Sequence, residues 1–486
     1  MLSAENKSVK TSLLWSFLEQ GSSKIALLVI QLILARLLAP EVFGVMAILL
    51  VVVETMSAIA QGGLGSSLIQ SDEVNRDDCT TAFWLSISLA AILYIIIFLC
   101  SPFIANVYEM TDLVLSLRIL ALSVFLSSFN SIQRSILQRE MSFRSIFLSN
   151  ISSVVISGCV GVAMAVWGMG LWALVAQALI QQAIACLVMF IKVPWRPSFY
   201  FSRVRARELL GYGWKVCTTV ILGVFYTGIS ELIIGKVCNP AQLGYYSQGR
   251  KWPNAGMGVV TNAIQNVMFP VLSLCKNDND KFKQVFLVTL RVGSYVVIPL
   301  CVLLALIAEP LLVLLLSEKW IPSVPVFQLG CIGYVLIMPQ IVNLRAYMAL
   351  GLSNLYLKLQ VIKVTLGIFI ISGVAYFTKD IYAVALSTCL LNYFCIAVID
   401  MNPAKRVIGI SRTEQLKQIG PIVLIAVIAG LVSHFLTFLA LNNILQILLQ
   451  SIVFVAIYCG LSKLCRLKSY EELLLEMAKF MHRATK

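Results

Sequence analysis

Ten basic side chains fall inside stretches that are otherwise apolar: Lys24, Arg36, Arg118, Lys215, Lys236, Arg250, Lys251, Arg291, Arg345 and Lys363. The carboxylates in comparable positions are Glu19, Glu54 and Glu231. An ionisable group at the centre of a bilayer costs about 2.5–3.5 kcal/mol on insertion scales, so it is expected to face a partner or a wet cavity. Arg36, Arg118, Lys236 and Arg345 lie near the ends of their segments, where long side chains can reach the headgroups. Arg291, Lys215 and Lys363 sit about two helical turns in, and Lys24, Glu54, Arg250 and Lys251 fall near the middle. Helical spacing sets neutral polar groups beside them: Gln20 and Gln31 with Lys24, Gln61 with Glu54, Thr219 and Tyr226 with Lys215, and Tyr246, Asn254, Thr261 and Gln265 with Arg250. Guanidinium and ammonium groups bind phosphates and carboxylates, and carboxamides and hydroxyls can hydrogen-bond sugars. The binding candidates are therefore Lys24, Gln31, Lys215, Arg250, Lys251, Asn254 and Arg291, and Glu54, Glu19 and Glu231 are the carboxylates available to take up a proton or a sodium ion. A plainer reading also fits: Glu54 or Glu19 neutralises Lys24, and Arg250 and Lys251 pack against carbonyls between helices.

The elements that carry these groups are set by composition. Of 486 residues, 59% are hydrophobic and 12% charged, against about 25% charge in a soluble domain. A membrane-crossing helix takes about 20 apolar residues, and lipid-exposed backbone must satisfy its own hydrogen bonds, which leaves helices. Hydropathy and Pro, Gly and charge punctuation predict fourteen spans, near 12–38, 42–69, 80–104, 113–137, 143–167, 171–193, 208–237, 241–272, 285–316, 323–350, 355–377, 381–400, 416–440 and 443–464. The fold class is an all-α polytopic membrane protein. With both termini placed in the cytoplasm, inner segments hold 25 Lys and Arg and outer loops hold two, Lys319 and Lys379. That is the positive-inside pattern. It absorbs most of the net charge of +14 and removes the need for a nucleic-acid partner.

An internal repeat organises the spans. Gln31 to Gly44 lies over Glu231 to Gly244, matching Arg36 to Lys236, Pro40 to Pro240 and Gly44 to Gly244. Further along, Ser101-Pro102 pairs with Glu309-Pro310, Arg134 with Arg345, and Leu171-Trp172 with Ile381-Tyr382. Copies six spans apart keep the same orientation, as in transporters built of parallel repeats. The expected plan is a six-helix lobe over 1–193, a basic cytoplasmic linker over 194–207, a second six-helix lobe over 208–400, a helical hairpin over 401–465 and a tail over 466–486. If spans 1, 2, 7 and 8 turn their polar faces to a shared axis, they enclose a cationic cavity. The linker, rich in Arg and aromatic residues, suits either a solvated connector or a segment lying against anionic lipid headgroups.

The chain resembles a known group at several places. The twelve-plus-two span plan, Leu13-Leu14-Trp15-Ser16 through Arg36 and Pro40 to Gly44, and Gly62-Gly63-Leu64-Gly65-Ser66-Ser67 are similar to the polysaccharide (Wzx-type) flippases of the multidrug/oligosaccharidyl-lipid/polysaccharide exporter superfamily. Leu137-Gln138-Arg139-Glu140 to Phe143 and Leu243-Gly244-Tyr245-Tyr246-Ser247-Gln248 resemble its colanic-acid-exporter-like branch. The resemblance covers about the first 400 residues. It implies a non-enzymatic transporter that moves an undecaprenyl-diphosphate-linked oligosaccharide repeat unit across a bacterial inner membrane, for exopolysaccharide or O-antigen synthesis. The implied partners are that lipid-linked glycan, membrane lipids and a polysaccharide polymerase, and the implied mechanism is alternating access of two lobes.

Rival functions are weaker on composition. A drug exporter of the same superfamily would favour an acidic cavity for cationic drugs. A membrane glycosyltransferase or polymerase acting on the same carrier would need reactive groups in a sizeable outer loop, and the expected outer loops offer little beyond Tyr108-Glu109, Glu318-Lys319-Trp320 and Thr378-Lys379-Asp380. The two histidines, His434 and His482, and thirteen cysteines without a C-x-x-C pair point to no cofactor and no metal.

Overall fold

In a computed structural model, residues 23–70, 75–140, 142–439 and 442–473 are described. Glu19, Gln20 and residues 474–486 of the expected tail lie outside these residues, as do the side chains of Lys215, Thr219 and Tyr226. Every regular element among the described residues is helical. Contacts divide the chain into two units, Met1–Gly244 and Tyr245–Lys486.

The first unit begins with α1 over residues 23–37, then α2 (Pro40–Gln61), α3 (Leu64–Gln70), α4 (Arg76–Tyr108), α5 (Asp112–Leu120), α6 (Ser123–Arg139), α7 (Phe143–Val166), α8 (Leu171–Lys192) and α9 (Arg203–Val237). α10 (Pro240–Leu274) starts in this unit and continues into the second. Pro40 occupies the first turn of α2, where a missing N–H costs nothing. Gly62 ends that helix at φ 52°, a left-handed position that favours glycine. The Asp78 carboxylate accepts the Asn75 N–H at 3.0 Å, which closes the start of α4, and it meets Arg205 at 3.0 Å at the start of α9.

Lipid tails are as apolar as leucine, so membrane helices associate through close packing of small residues. α7 shows this along one face. Ser149, Ser153, Ser157, Gly161 and Ala165 are buried at intervals of four, and α8 lies along that seam. The Ser149 hydroxyl donates to the Ala185 carbonyl at 3.0 Å. Leu64, Phe83, Ile132, Ile146, Met189 and Trp195 form the apolar core beside it. The repeat motif is also a packing motif. A Cβ built on Gly44 would stand 2.0 Å from the Pro240 carbonyl oxygen, and one on Gly244 would stand 2.0 Å from the Pro40 carbonyl oxygen. The residues that matched at an offset of 200 therefore touch each other reciprocally.

Beyond α10, the second unit comprises α11 (Asn279–Leu306), α12 (Ala308–Leu316), α13 (Val324–Gly333), α14 (Ile337–Ala349), α15 (Ser353–Thr378), α16 (Ile381–Phe394), the one-turn α17 (Ala404–Val407), α18 (Arg412–His434) and α19 (Asn443–Leu464). A 3₁₀ segment, Glu318–Ser323, leads into α13, and α16 runs on into a π-helical turn, Cys395–Asp400. Phe286, Leu290, Val342, Tyr347, Ile422 and Phe454 lie in its core.

Eleven helices among the described residues are long and apolar enough to cross a membrane, and a twelfth crossing results if one bent pair counts as a single span. They occupy the positions of expected spans 2–6 and 8–14. The bent pair, Glu318–Gly333 with Ile337–Ala349, turns by 47° where a single span over 323–350 was expected. α1 starts where the described residues start, and α9, at the position of expected span 7, is 35 residues long. The expected lobe boundary at 193–208 lies one helix before the contact boundary at Gly244, because α9 packs on α2, α3 and α4. The linker before α9 is held against α4. The Trp84 indole donates to the Ser198 carbonyl at 2.9 Å, and the Phe199 ring, which stacks on Trp84, is fully exposed.

Candidate functional site

The unit containing α1 holds a recess of about 430 Å³. Ser23 and Lys24 of α1, Arg134 and Gln138 of α6, Asn150 and Ser153 of α7, and Gln181 of α8 supply its polar wall, and Leu27, Phe143, Ile146 and Val154 supply its apolar wall. Among these lining residues are two cations and no carboxylate. Seven residues after Lys24, Gln31 meets α8, where its Nε2 donates to Gln177 Oε1 at 3.4 Å. The helical face proposed for Lys24 and Gln31 thus carries both residues, and the structure adds Arg134, Gln138, Asn150 and Gln181. Sequence reasoning paired Arg134 with Arg345 in the repeat and passed over the three amides as site residues. Gln138 closes α6, Asn150 lies two turns into α7 and Gln181 lies mid-way along α8.

In the second unit, Arg250 and Asn254 lie a turn apart on α10. Arg250 Nη1 donates to the Tyr246 hydroxyl at 3.4 Å, and Tyr246 is buried. The Asn254 carboxamide oxygen accepts from the Tyr334 hydroxyl at 2.9 Å, at the break between α13 and α14. Lys251 is half-buried. Further along α10, Gln265 Oε1 accepts from Arg345 Nε and Nη2 at 3.2 and 2.6 Å, which ties α10 to α14.

Other cations meet partners that sequence alone did not supply. Arg291 Nε donates to Glu472 Oε2 at 3.0 Å, a second contact joins Nη2 to Glu472 Oε1, and Nη1 donates to Gln418. Lys236 meets Glu109 at 3.5 Å on an exposed surface, and Arg118 donates to Ser101 Oγ and the Phe98 carbonyl. Lys363 forms the most enclosed pair. Its ammonium lies 3.0 and 3.1 Å from the two oxygens of Asp400, with side-chain exposures of 1% and 0%. Gln340 donates to the same carboxylate, and the Tyr347 hydroxyl donates to the Asp400 carbonyl. Asp400 was missed because it stood at the expected end of span 12, where a carboxylate needs no explanation. Glu54 lies on an exposed face of α2, and Glu231 is half-buried on α9.

The thirteen cysteines are free thiols, and among the described residues no three His, Cys, Asp or Glu side chains converge on a metal site.

Residues 33–325, more than half of the chain, match the polysaccharide biosynthesis protein family. The chain belongs to that family. It is 24% identical over 333 residues to the succinoglycan biosynthesis transport protein ExoT of Rhizobium meliloti (strain 1021), covering 68% of this chain and 67% of that one. It is 24% identical over 304 residues to the lipopolysaccharide biosynthesis protein WzxC of Escherichia coli (strain K12), covering 62% of this chain and 61% of that one. The teichuronic acid biosynthesis protein TuaB of Bacillus subtilis (strain 168) is 23% identical, with 60% of this chain and 61% of that protein covered. The matches to WzxC and TuaB thus span less than two thirds of those relatives. The fold is similar to the lipid II flippase MurJ in an inward closed conformation, with a TM-score of 0.74 at 16% identity, over 93% of this chain and 99% of that one. It is also similar to an inward-facing multidrug resistance MATE transporter, with a TM-score of 0.64 at 15% identity, over 80% and 95% of the two chains.

Proposed function

We propose that this multi-pass membrane protein flips an undecaprenyl-diphosphate-linked oligosaccharide repeat unit from the inner to the outer leaflet of a bacterial inner membrane, for exopolysaccharide or O-antigen assembly. The observation that carries this reading is the lining of the α1–α6–α7–α8 recess, to which Lys24, Arg134 and several amides and hydroxyls contribute. That surface repels a cationic drug and receives an anionic glycan. The relatives named for succinoglycan, lipopolysaccharide and teichuronic acid synthesis support a polysaccharide cargo.

The cycle is alternating access of two six-helix lobes in a fourteen-span chain with both termini cytoplasmic. Lys24 and Gln31 act on one lobe, and Lys215, Arg250, Lys251 and Asn254 on the other. Arg291 joins them when its guanidinium leaves Glu472. A proton or sodium gradient drives the cycle through Glu54, Glu19 or Glu231. Deleting the gene and analysing lipid-linked intermediates tests the function. Complete repeat units gathering on the cytoplasmic leaflet are expected, whereas incomplete glycans, or unchanged polysaccharide output, would overturn it.

A further inference from the structure

We infer that the buried Lys363–Asp400 pair of the second unit is a proton-binding site, in which Asp400 takes up a proton as the pair parts and releases it as the pair closes. The inference rests on the flippase reading for its place in the cycle, and it adds an enclosed carboxylate to the coupling candidates Glu54, Glu19 and Glu231.

The position of the pair is the first reason. α15 and α16 pack along each other and are joined at a corner formed by Lys379 and Asp380. Lys363 and Asp400 meet roughly 25–30 Å from that corner, at about 1.5 Å per residue, so the pair is a clasp across the free ends of a hairpin. Both residues belong to helices apolar enough to cross a membrane, where ionisable side chains mark ion and proton pathways. An enclosed ion pair is rarely worth more to stability than packed apolar side chains of its size. Asp400 also closes the π-helical turn, in which the Met401 N–H donates to the Ile396 carbonyl at 3.0 Å, and such turns occur mostly at functional sites.

The chemistry of the carboxylate is the second reason. Asp400 Oδ2 accepts from Lys363 at 3.1 Å and from Gln340 at 3.2 Å. Oδ1 lies 3.0 Å from the ammonium, but no hydrogen bond is directed at it among the described residues, which leaves a lone pair to receive a proton. The ammonium already stands where a sodium ion would sit, so the ligand is a proton. The titratable groups facing Asp400 are Lys363 from α15, Tyr347 from α14 and Cys395 from its own turn. Around them α14 and α18 bring the amides Gln340, Asn343 and Gln415, and Asn343 Nδ2 donates to Gln415 Oε1 at 2.7 Å. Of these groups only the carboxylate takes up a proton on acidification. The proton bonds to Oδ1, the carboxylate becomes a neutral carboxyl, and Lys363 keeps its own proton. An ammonium at 1% exposure without its counter-charge is strongly unfavourable, so proton uptake opens the clasp and lets water reach Lys363. Loss of the proton restores the attraction that closes it. The proton thus favours the open state because it binds that state better.

The full chain, made cysteine-free and placed in phosphatidylcholine nanodiscs, tests this with spin labels at Lys358→Cys and Lys405→Cys, exposed positions on α15 and α17. Acidification is expected to lengthen the distance between the labels. Asp400→Asn, which copies the neutral carboxyl, should show the longer distance at every pH, and Asp400→Glu should keep the pH response with a displaced midpoint. The apolar pair Lys363→Met with Asp400→Leu should hold the short distance at every pH, which separates loss of the proton site from unfolding. A parent distance that ignores pH would overturn the site, as would a parent-like response in Asp400→Asn or in the apolar double variant. The expected distances in a protein whose gene deletion leaves export intact would refute the flippase reading and keep the proton site. Lost export on deletion with a clasp blind to pH would keep the flippase and remove the site.

Discussion

Arg250 and Lys363 are both basic residues within apolar segments, and their surroundings give them opposite roles. Arg250 donates to the Tyr246 hydroxyl at 3.4 Å, and a turn away Asn254 is anchored by Tyr334. A buried phenol positions this guanidinium in the proposed binding face beside Asn254, so Arg250→Ala should abolish polysaccharide export while the protein remains at its normal level in the membrane. Undiminished export from a strain carrying the variant would end that assignment. Lys363 is enclosed with Asp400, at 1% and 0% exposure. Removing one member of a buried pair leaves an uncompensated charge and costs about 3–5 kcal/mol, whereas replacing both by apolar groups is often neutral. Lys363→Met should therefore lower the unfolding temperature of the detergent-solubilised protein markedly, and adding Asp400→Leu should restore most of it. A double variant as unstable as the single one would show that the pair does more than neutralise itself. The basic residues thus divide in a way that composition did not show: Lys363, Arg291 and Lys236 have carboxylate partners, and Lys24 lines a recess with a second cation.

At the scale of helices, small residues at regular intervals determine which neighbours can approach. The seam of Ser149, Ser153, Ser157, Gly161 and Ala165 is legible as a pattern, but a pattern of small residues does not name the helix that fills it. The reciprocal contact of Pro40 with Gly244 and Pro240 with Gly44 is the case where repeat and packing coincide. Because each missing Cβ would fall 2.0 Å from a carbonyl oxygen, and a backbone carbonyl cannot swing aside as a side chain can, Gly44→Ala and Gly244→Ala should each destabilise by about 1–3 kcal/mol, the usual cost of overpacking. Thermal unfolding of the two variants measures this, and equal shifts are expected from the reciprocity. Expected span 10 gives the opposite lesson. A single hydrophobic run over 323–350 resolves into α13 and α14 with a 47° turn between them, where Tyr334 meets Asn254. Hydropathy averages over a window and is blind to a bend, because the residues on both sides of the break are equally apolar.

For the whole molecule, charge bias is the strongest topological signal. Inner segments were expected to hold 25 Lys and Arg and outer loops two. Single cysteines introduced at Lys192 and Lys283 of a cysteine-free chain should then react with a membrane-impermeant maleimide only after the membrane is opened, and ones at Glu318 and Asp380 should react in intact spheroplasts. The reverse pattern would invert the topology. Sequence by itself determined the all-helical membrane character, the family, the internal repeat and the candidate cations, since each depends on composition, on local spacing or on similarity along the chain. Only the tertiary structure decided which cations are paired and which share a cavity. Arg134 and Lys24 are more than a hundred residues apart, Lys363 and Asp400 are thirty-seven apart, and Arg291 and Glu472 are 181 apart. Whether a charge is neutralised depends on distances of a few ångströms between helices, and those distances are set by packing rather than by order along the chain.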